Sequence, residues 1–296
     1  MTARQDWLAK RKTGIGASEA AALFGQHPYL SPYALWAMKV GKTSPDDQEV
    51  ENEEDRKADG LLMEPRIATK YSRKTGRLVH TVDPPSKVDP KCPVLFASPD
   101  RITQYGEDGP LGVLELKWWD HYRADDEVPI YGQMQVQQQM ACYELSLGTI
   151  AILGSFRSFH MVDFDLNKAF IDLLREKAEE FWARHVVTDT PPEADGSRAT
   201  AEAIRRLHPK DSGEIVMLPS EATAWVEQLQ QAKTDQKEGA EREAEAQNKL
   251  RAAIGEASFG KLPDGRRISL RHQKRGSYTV EPTEFRVLRV LKGDND

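Results

Sequence analysis

The segment Val113-Leu-Glu-Leu-Lys117, in which two charged residues alternate with leucines at strand period, most constrains what this chain can fold into. Successive side chains of a strand point to opposite faces. Leu114 and Leu116 therefore share one face, and Glu115 and Lys117 share the other. A second apolar run, Val94-Leu-Phe-Ala97, precedes it, with a Gly/Asp/Pro-rich stretch at 106–112 between them. Runs bounded in this way read as two strands joined by a loop. Asp100 lies just past the first strand and reaches the face that carries Glu115 and Lys117.

Two carboxylates and an ammonium at one sheet edge make a hard-oxygen site suited to Mg²⁺. Such a site activates water and clamps a phosphate during displacement. The spacing Asp-x14-Glu-x-Lys over Asp100, Glu115 and Lys117 resembles the PD-(D/E)xK nuclease signature. A surface hairpin with ordinary charges is the alternative, and the context of a motif decides between them.

Composition narrows the classes. A chain of 296 residues is long enough to bury a full core. Its 47 acidic against 41 basic residues give a net charge of −6. Any nucleic acid must therefore be held by a local basic groove or by metal-neutralised carboxylates. Two cysteines, Cys92 and Cys142, are too few for an all-cysteine zinc or iron–sulfur site and fit a reducing compartment. No apolar run has the length of a membrane span and no signal-peptide core opens the chain, so a soluble, cytoplasmic protein is expected. Gly14 and Gly16 do not extend to a dinucleotide fingerprint, because position 19 is Glu. Gly41-Lys-Thr43 lacks the P-loop glycine, because position 36 is Trp.

In chain order, residues 6–12 read as a short amphipathic helix, and Gly14-Ile-Gly-Ala-Ser18 leads into a second helix over 19–24 with Ser18 as its N-cap. A glycine-rich entry to a helix N-terminus suits an anion, and Arg11 and Lys12 add charge; a plain helix cap is the alternative. A helix is expected over 33–40 and another over 60–75, with Leu61, Glu64, Ala68 and Tyr71 on one face and a bend or new first turn at Pro65. A carboxylate on such a stripe needs a partner or a metal, unless Glu64 is simply exposed near the helix start. A strand at 78–82 follows, then the two motif strands, then a helix over 129–143 rich in glutamine, whose amides line a polar cleft or face solvent. Strands at 149–153 and 160–165 and an amphipathic helix over 166–187 complete the main domain. The Pro/Asp/Gly-rich stretch at 188–197 marks a boundary. The expected division is 1–190 and 191–296, the latter a long charged helix over 220–254 and a basic hairpin over 259–280 turning at Asp264-Gly265.

The order of these blocks resembles the YqaJ-type viral recombinase family, related to the phage lambda exonuclease, over residues 10–185. The matching residues are Arg11 with Gly14 to Ser18, Ser31 to Trp36, Gly60 to Glu64, Ser98-Pro-Asp100, Leu114 to Lys117, Pro129 to Gln137, and Phe181-Trp182. The resemblance implies an α/β fold with a restriction-endonuclease-like core, a central mixed sheet flanked by helices, extended by the C-terminal helix and hairpin. It implies a Mg²⁺-dependent 5′-to-3′ exonuclease on double-stranded DNA, with Mn²⁺ able to substitute. Asp100, Glu115, the carbonyl of Leu116 and Glu64 would hold the metal, and Lys117 would orient water and steady the phosphate. Gln135 would be the cleft glutamine, and Arg11 and Ser18 would capture the 5′-phosphate. Double-stranded DNA ends, a single-strand annealing protein and a homo-oligomer, a trimer by resemblance, are the implied partners, with no membrane involved. A phage or prophage origin within a bacterial cell is implied as well. A structure-specific endonuclease, or a non-catalytic DNA-binding accessory protein, is the competing reading.

Overall fold

The alternation at 111–118 builds the middle strand of a mixed sheet. The computed structural model describes residues 12–44, 53–119, 121–123, 126–154, 158–274, 286 and 288–290. The chain divides into two units, Met1–His208 and Pro209–Asp296. In the first, β1 (Ile15–Gly16) leads into a 3₁₀ helix (Ala17–Phe24), then α1 (Pro32–Lys39) and α2 (Glu53–Thr75). Five strands follow, β2 (Leu78–His80), β3 (Lys87–Asp89), β4 (Cys92–Ala97), β5 (Arg101–Gln104) and β6 (Leu111–Trp118). Then come α3 (Ile130–Tyr143), β7 (Leu147–Leu153), β8 (Phe159–Asp165), α4 (Lys168–Phe181) and α5 (Arg198–Leu207).

One sheet has the order β2-β5-β6-β7-β8 and a smaller one the order β1-β4-β3. Strands β6 and β7 are parallel, joined by the crossover through α3, and the other neighbours in the larger sheet are antiparallel. The mixed α/β architecture expected from sequence is therefore the one found. Its hydrophobic core is divided by the sheet. Val113, Ile150 and Ile152 pack with Val136 and Met140 of α3. Leu114, Leu116, Ala151 and Leu153 pack with Ile67, Ala68 and Tyr71 of α2 on the opposite face. A third cluster joins α1, the 3₁₀ helix, α4 and Ala203 of α5.

Several expectations change. The run at 94–97 is not the hairpin partner of 113–117. Arg101–Gln104 takes that place, antiparallel to β6, while β4 pairs with β1 and β3. A strand of four residues holding Arg, Thr and Gln shows little of the apolar signal that marks strands. Helix α2 begins at Glu53 and runs through Pro65 without a new first turn there, and Leu61, expected on its packed face, is exposed. Ser18 is not an N-cap. Gly16 holds that position, and Ser18 lies exposed within the first turn. Expected helix 6–12 lies, up to residue 11, outside the described residues.

The boundary drawn at 190/191 falls inside the first unit. Helix α5 packs Ala203 into the third cluster, and Thr200 Oγ1 is 2.7 Å from the hydroxyl of Ser31, the N-cap of α1. In the second unit, α6 (Ala222–Ile254) buries only Ala222 among its residues. Exposed i,i+4 ion pairs such as Lys249–Glu245 punctuate it. It is followed by a hairpin of β9 (Phe259–Lys261) and β10 (Arg267–Ser269). Gly265 turns that hairpin at φ 88°, a left-handed conformation that favours glycine. Residues 275–280 of the expected hairpin lie outside the described residues. Among the described residues no helix is long and apolar enough to cross a membrane.

Candidate active site

Strand register explains the fourteen-residue gap between the two motif carboxylates. Arg101 pairs with Leu114 in the β5–β6 ladder. One step further along an antiparallel pair, Asp100 stands opposite Glu115, and directly opposed residues project to the same face. Asp100 is tied there by its Oδ2, which accepts from the Leu116 N–H at 2.7 Å. Val113 packs toward α3, so Glu115 and Lys117, two and four residues on, face that helix as well.

The glutamines of α3 meet them. Gln135 Nε2 donates to Glu115 Oε1 at 2.6 Å, and Gln139 Nε2 donates to Glu115 Oε2 at 2.6 Å. Residues four apart on a helix lie on one side, which lets both amides reach one carboxylate. Lys117 Nζ completes the set, 2.7 Å from Glu115 Oε1, with side-chain exposures of 23% for the lysine and 4% for the glutamate. Gln138 braces the surroundings by donating to the carbonyls of Ile15 (2.9 Å) and Phe96 (2.8 Å), so α3 grips β1 and β4 together. Gln137 binds the carbonyl of Asp165 and accepts from the Asn167 N–H. The solvated-face reading of this helix does not hold: Gln135, Gln137, Gln138 and Gln139 are all buried.

The electrostatics are those of crowded carboxylates. Burial first, then the Glu115 charge, pushes the Asp100 carboxyl well above the ordinary carboxylate range, against the opposing pull of Lys117. Burial also raises Glu64, half-buried on α2, with Arg101 opposing and Glu115 adding to the rise. Burial alone would lower the Lys117 ammonium, but Glu115 and Asp100 overcome it and hold it above the usual lysine value. Among the described residues no three His, Cys, Asp or Glu side chains converge tightly enough to hold a metal ion by themselves. Mg²⁺ does not ask for such a cage. It binds through one or two carboxylates, retained waters and substrate phosphate. Two hard carboxylates that repel one another at a strand edge fit such an ion.

Asp100, Glu115, Lys117, Gln135 and Leu116 are thus brought together, and Glu64 lies within electrostatic reach of Glu115 and Lys117. Ser18 follows β1, which runs parallel to β4, so it leaves the sheet at the end from which the chain runs on to Asp100. Arg11 lies outside the described residues. Gln139 escaped the sequence reading as a site residue.

A mixed α/β domain with Asp100, Glu115 and Lys117 gathered on the end of one hairpin defines the class. Residues 6–146 match the family model of the YqaJ-like viral recombinase domain. The Bacillus subtilis (strain 168) protein YqaJ, itself uncharacterized, is 23% identical over 264 residues, covering 87% of this chain and 80% of its own length. A crystal structure of an alkaline exonuclease from Laribacter hongkongensis aligns with a TM-score of 0.48 at 19% identity, over 63% of this chain and 94% of that one. The same enzyme in complex with dAMP aligns with a TM-score of 0.48 at 20% identity.

Proposed function

We propose that the chain is a divalent-metal-dependent deoxyribonuclease, a 5′-to-3′ exonuclease on double-stranded DNA that leaves 3′ single-stranded overhangs for single-strand annealing recombination. The observation that carries this reading is the triple-held Glu115 carboxylate beside Asp100. It is a costly arrangement that a purely structural hairpin has no use for. Asp100 and Glu115, with the Leu116 carbonyl and Glu64, would hold Mg²⁺, or Mn²⁺ in its place. When bound, such an ion polarises the phosphate and its attacking water. Lys117, an ammonium at neutral pH, places positive charge where the phosphate gains negative charge. Gln135 and Gln139 fix the Glu115 oxygens before substrate arrives. By resemblance, Arg11 and Ser18 would take the 5′-phosphate, which sets polarity. A single-strand annealing protein receives the overhang, and a homo-oligomer, a trimer by resemblance, encircles the duplex in the cytoplasm of a bacterial host.

Digestion of linear duplex with and without a 5′-phosphate, beside closed circular DNA, in Mg²⁺ and then in EDTA, tests this. Loss of linear DNA alone, faster with the phosphate and abolished by EDTA or by Lys117→Ala, is the expected result. Nicking of the circle makes the protein an endonuclease, and metal-independent binding without turnover makes it an accessory protein.

A further inference from the structure

A row of aromatic rings leads from Lys117 toward solvent. Lys117 and Trp119 are two residues apart at the end of β6, so they emerge on one side of the chain. The Trp119 ring lies 6.0 Å from that of Tyr131, Tyr131 lies 5.8 Å from His27, and His27 lies 6.2 Å from Tyr29. Tyr29, the outermost, is 75% exposed. Three separate stretches supply these rings: the end of β6, the first turn of α3, and the turn between the 3₁₀ helix and α1. The Trp119 indole lies beside Gly132 of α3, where an added Cβ would meet it at 3.4 Å.

The inner rings are half-buried and the outermost is open, so the row runs from the interior beside Lys117 out to solvent. His27 is fixed in orientation, its Nδ1 accepting from the Tyr29 N–H at 3.1 Å. Burial lowers the imidazole to about 4, outweighing the Glu19 charge, with Lys117 adding to the fall. Burial likewise raises the Tyr131 phenol. At neutral pH His27 and Tyr131 are therefore uncharged and offer π faces beside an ammonium.

We infer that Tyr29, His27, Tyr131 and Trp119 form a stacking platform for the unpaired nucleobase of the nucleotide whose phosphate lies at Lys117. The inference rests on the nuclease reading and adds where the base goes. A phosphate and its base belong to one nucleotide, so an anion site flanked by aromatic rings takes that nucleotide splayed from the duplex. Stacking accepts every base, because each has a π face. A nuclease that digests arbitrary sequence needs that tolerance.

The test uses the full chain with Ca²⁺ in place of Mg²⁺ and fluorescence anisotropy. The probe is a labelled duplex with one unpaired 5′ thymidine, compared with the same duplex carrying a tetrahydrofuran abasic residue there. The base-bearing end is expected to bind about 5- to 150-fold more tightly. Tyr131→Leu should collapse this ratio toward one, Tyr131→Phe should keep it, and Tyr29→Ala, at an exposed position, should lower it. A ratio of one in the native protein, or an unchanged ratio in both Tyr131→Leu and Tyr29→Ala, overturns the platform. If the native protein digests linear duplex in Mg²⁺ while the ratio is one, the platform falls and the nuclease stands. If no duplex is bound or cut, both fall.

Discussion

A carboxylate as enclosed as that of Glu115 is costly unless its oxygens are satisfied, and two amides and an ammonium satisfy it. Gln139→Leu removes the donor to Oε2 and leaves that oxygen buried and free to turn. Replacing a residue that orients a metal ligand weakens metal binding by about 10- to 100-fold. Calorimetric titration with Mn²⁺ should show that loss even where the variant melts close to the native protein. The site carboxylates were legible in the sequence, because strand alternation alone puts Glu115 and Lys117 on one side. Gln139 was not. Five glutamines crowd residues 133–139, and only the position of β6 beneath α3 decides which of them reach Glu115. A second residue-scale device lies away from the site. Asp163 accepts from Arg77 through both oxygens, at 2.8 and 2.7 Å, and Oδ1 also accepts from Thr149. The Arg77 hydrogen bonds, opposed by burial and helped by Thr149, lower the Asp163 carboxyl. A depressed folded value stabilises the fold above the unfolded value of about 3.9 and ceases to do so as pH falls through the folded one. Asp163→Asn should therefore lower the melting temperature at pH 7, with the difference closing as pH falls below the ordinary carboxylate range, read by melts from neutral to acid pH.

At the scale of elements, the contact between α3 and the sheet decides whether the glutamines arrive at the right height. Gly148 on β7 sits where they meet. A Cβ there would lie 2.5 Å from Val136 Cγ1 and 3.0 Å from both Met140 Sδ and Val113 Cγ2. Overpacking of this kind costs about 1–3 kcal/mol. Gly148→Ala should lower the urea midpoint accordingly and slow turnover as well, because the strain falls on the helix that holds Glu115. The periodicity of 129–143 announced α3 and the apolar run at 149–153 announced β7, since both follow from burial. The short β5 could not be read in the same way. Its residues Arg101, Ile102, Thr103 and Gln104 gain their strand conformation from pairing with β6, a tertiary effect that local composition does not carry. The motif led to residues that the fold brings together, but through the wrong hairpin, because Asp100 sits at the junction of β4 and β5 and either strand would bring it to the edge.

On the scale of the whole molecule, the three hydrophobic clusters and the gathered site residues all lie in the first unit, Met1–His208. The Pro/Asp/Gly-rich stretch at 188–197 looked like its end. Helix α5 hid behind that stretch because it is short and dense in charge, with Arg198, Glu202, Arg205 and Arg206 masking the apolar face of Ala199, Ala203 and Leu207. Where the chain is cut therefore separates two outcomes. A chain ending at residue 190 loses the burial of Ala203 and the Thr200 hydroxyl, at 2.7 Å from Ser31 at the head of α1. Together these are worth about 1–3 kcal/mol, so this chain should melt below one ending at His208. The chain ending at His208 keeps every described contact of the site, and it should unfold cooperatively and bind Mn²⁺ as the full chain does. If it also digests linear duplex at the full-length rate, residues 209–296 serve something other than the chemical step. If binding of Mn²⁺ survives while digestion fails, they act on the DNA and not on the metal site.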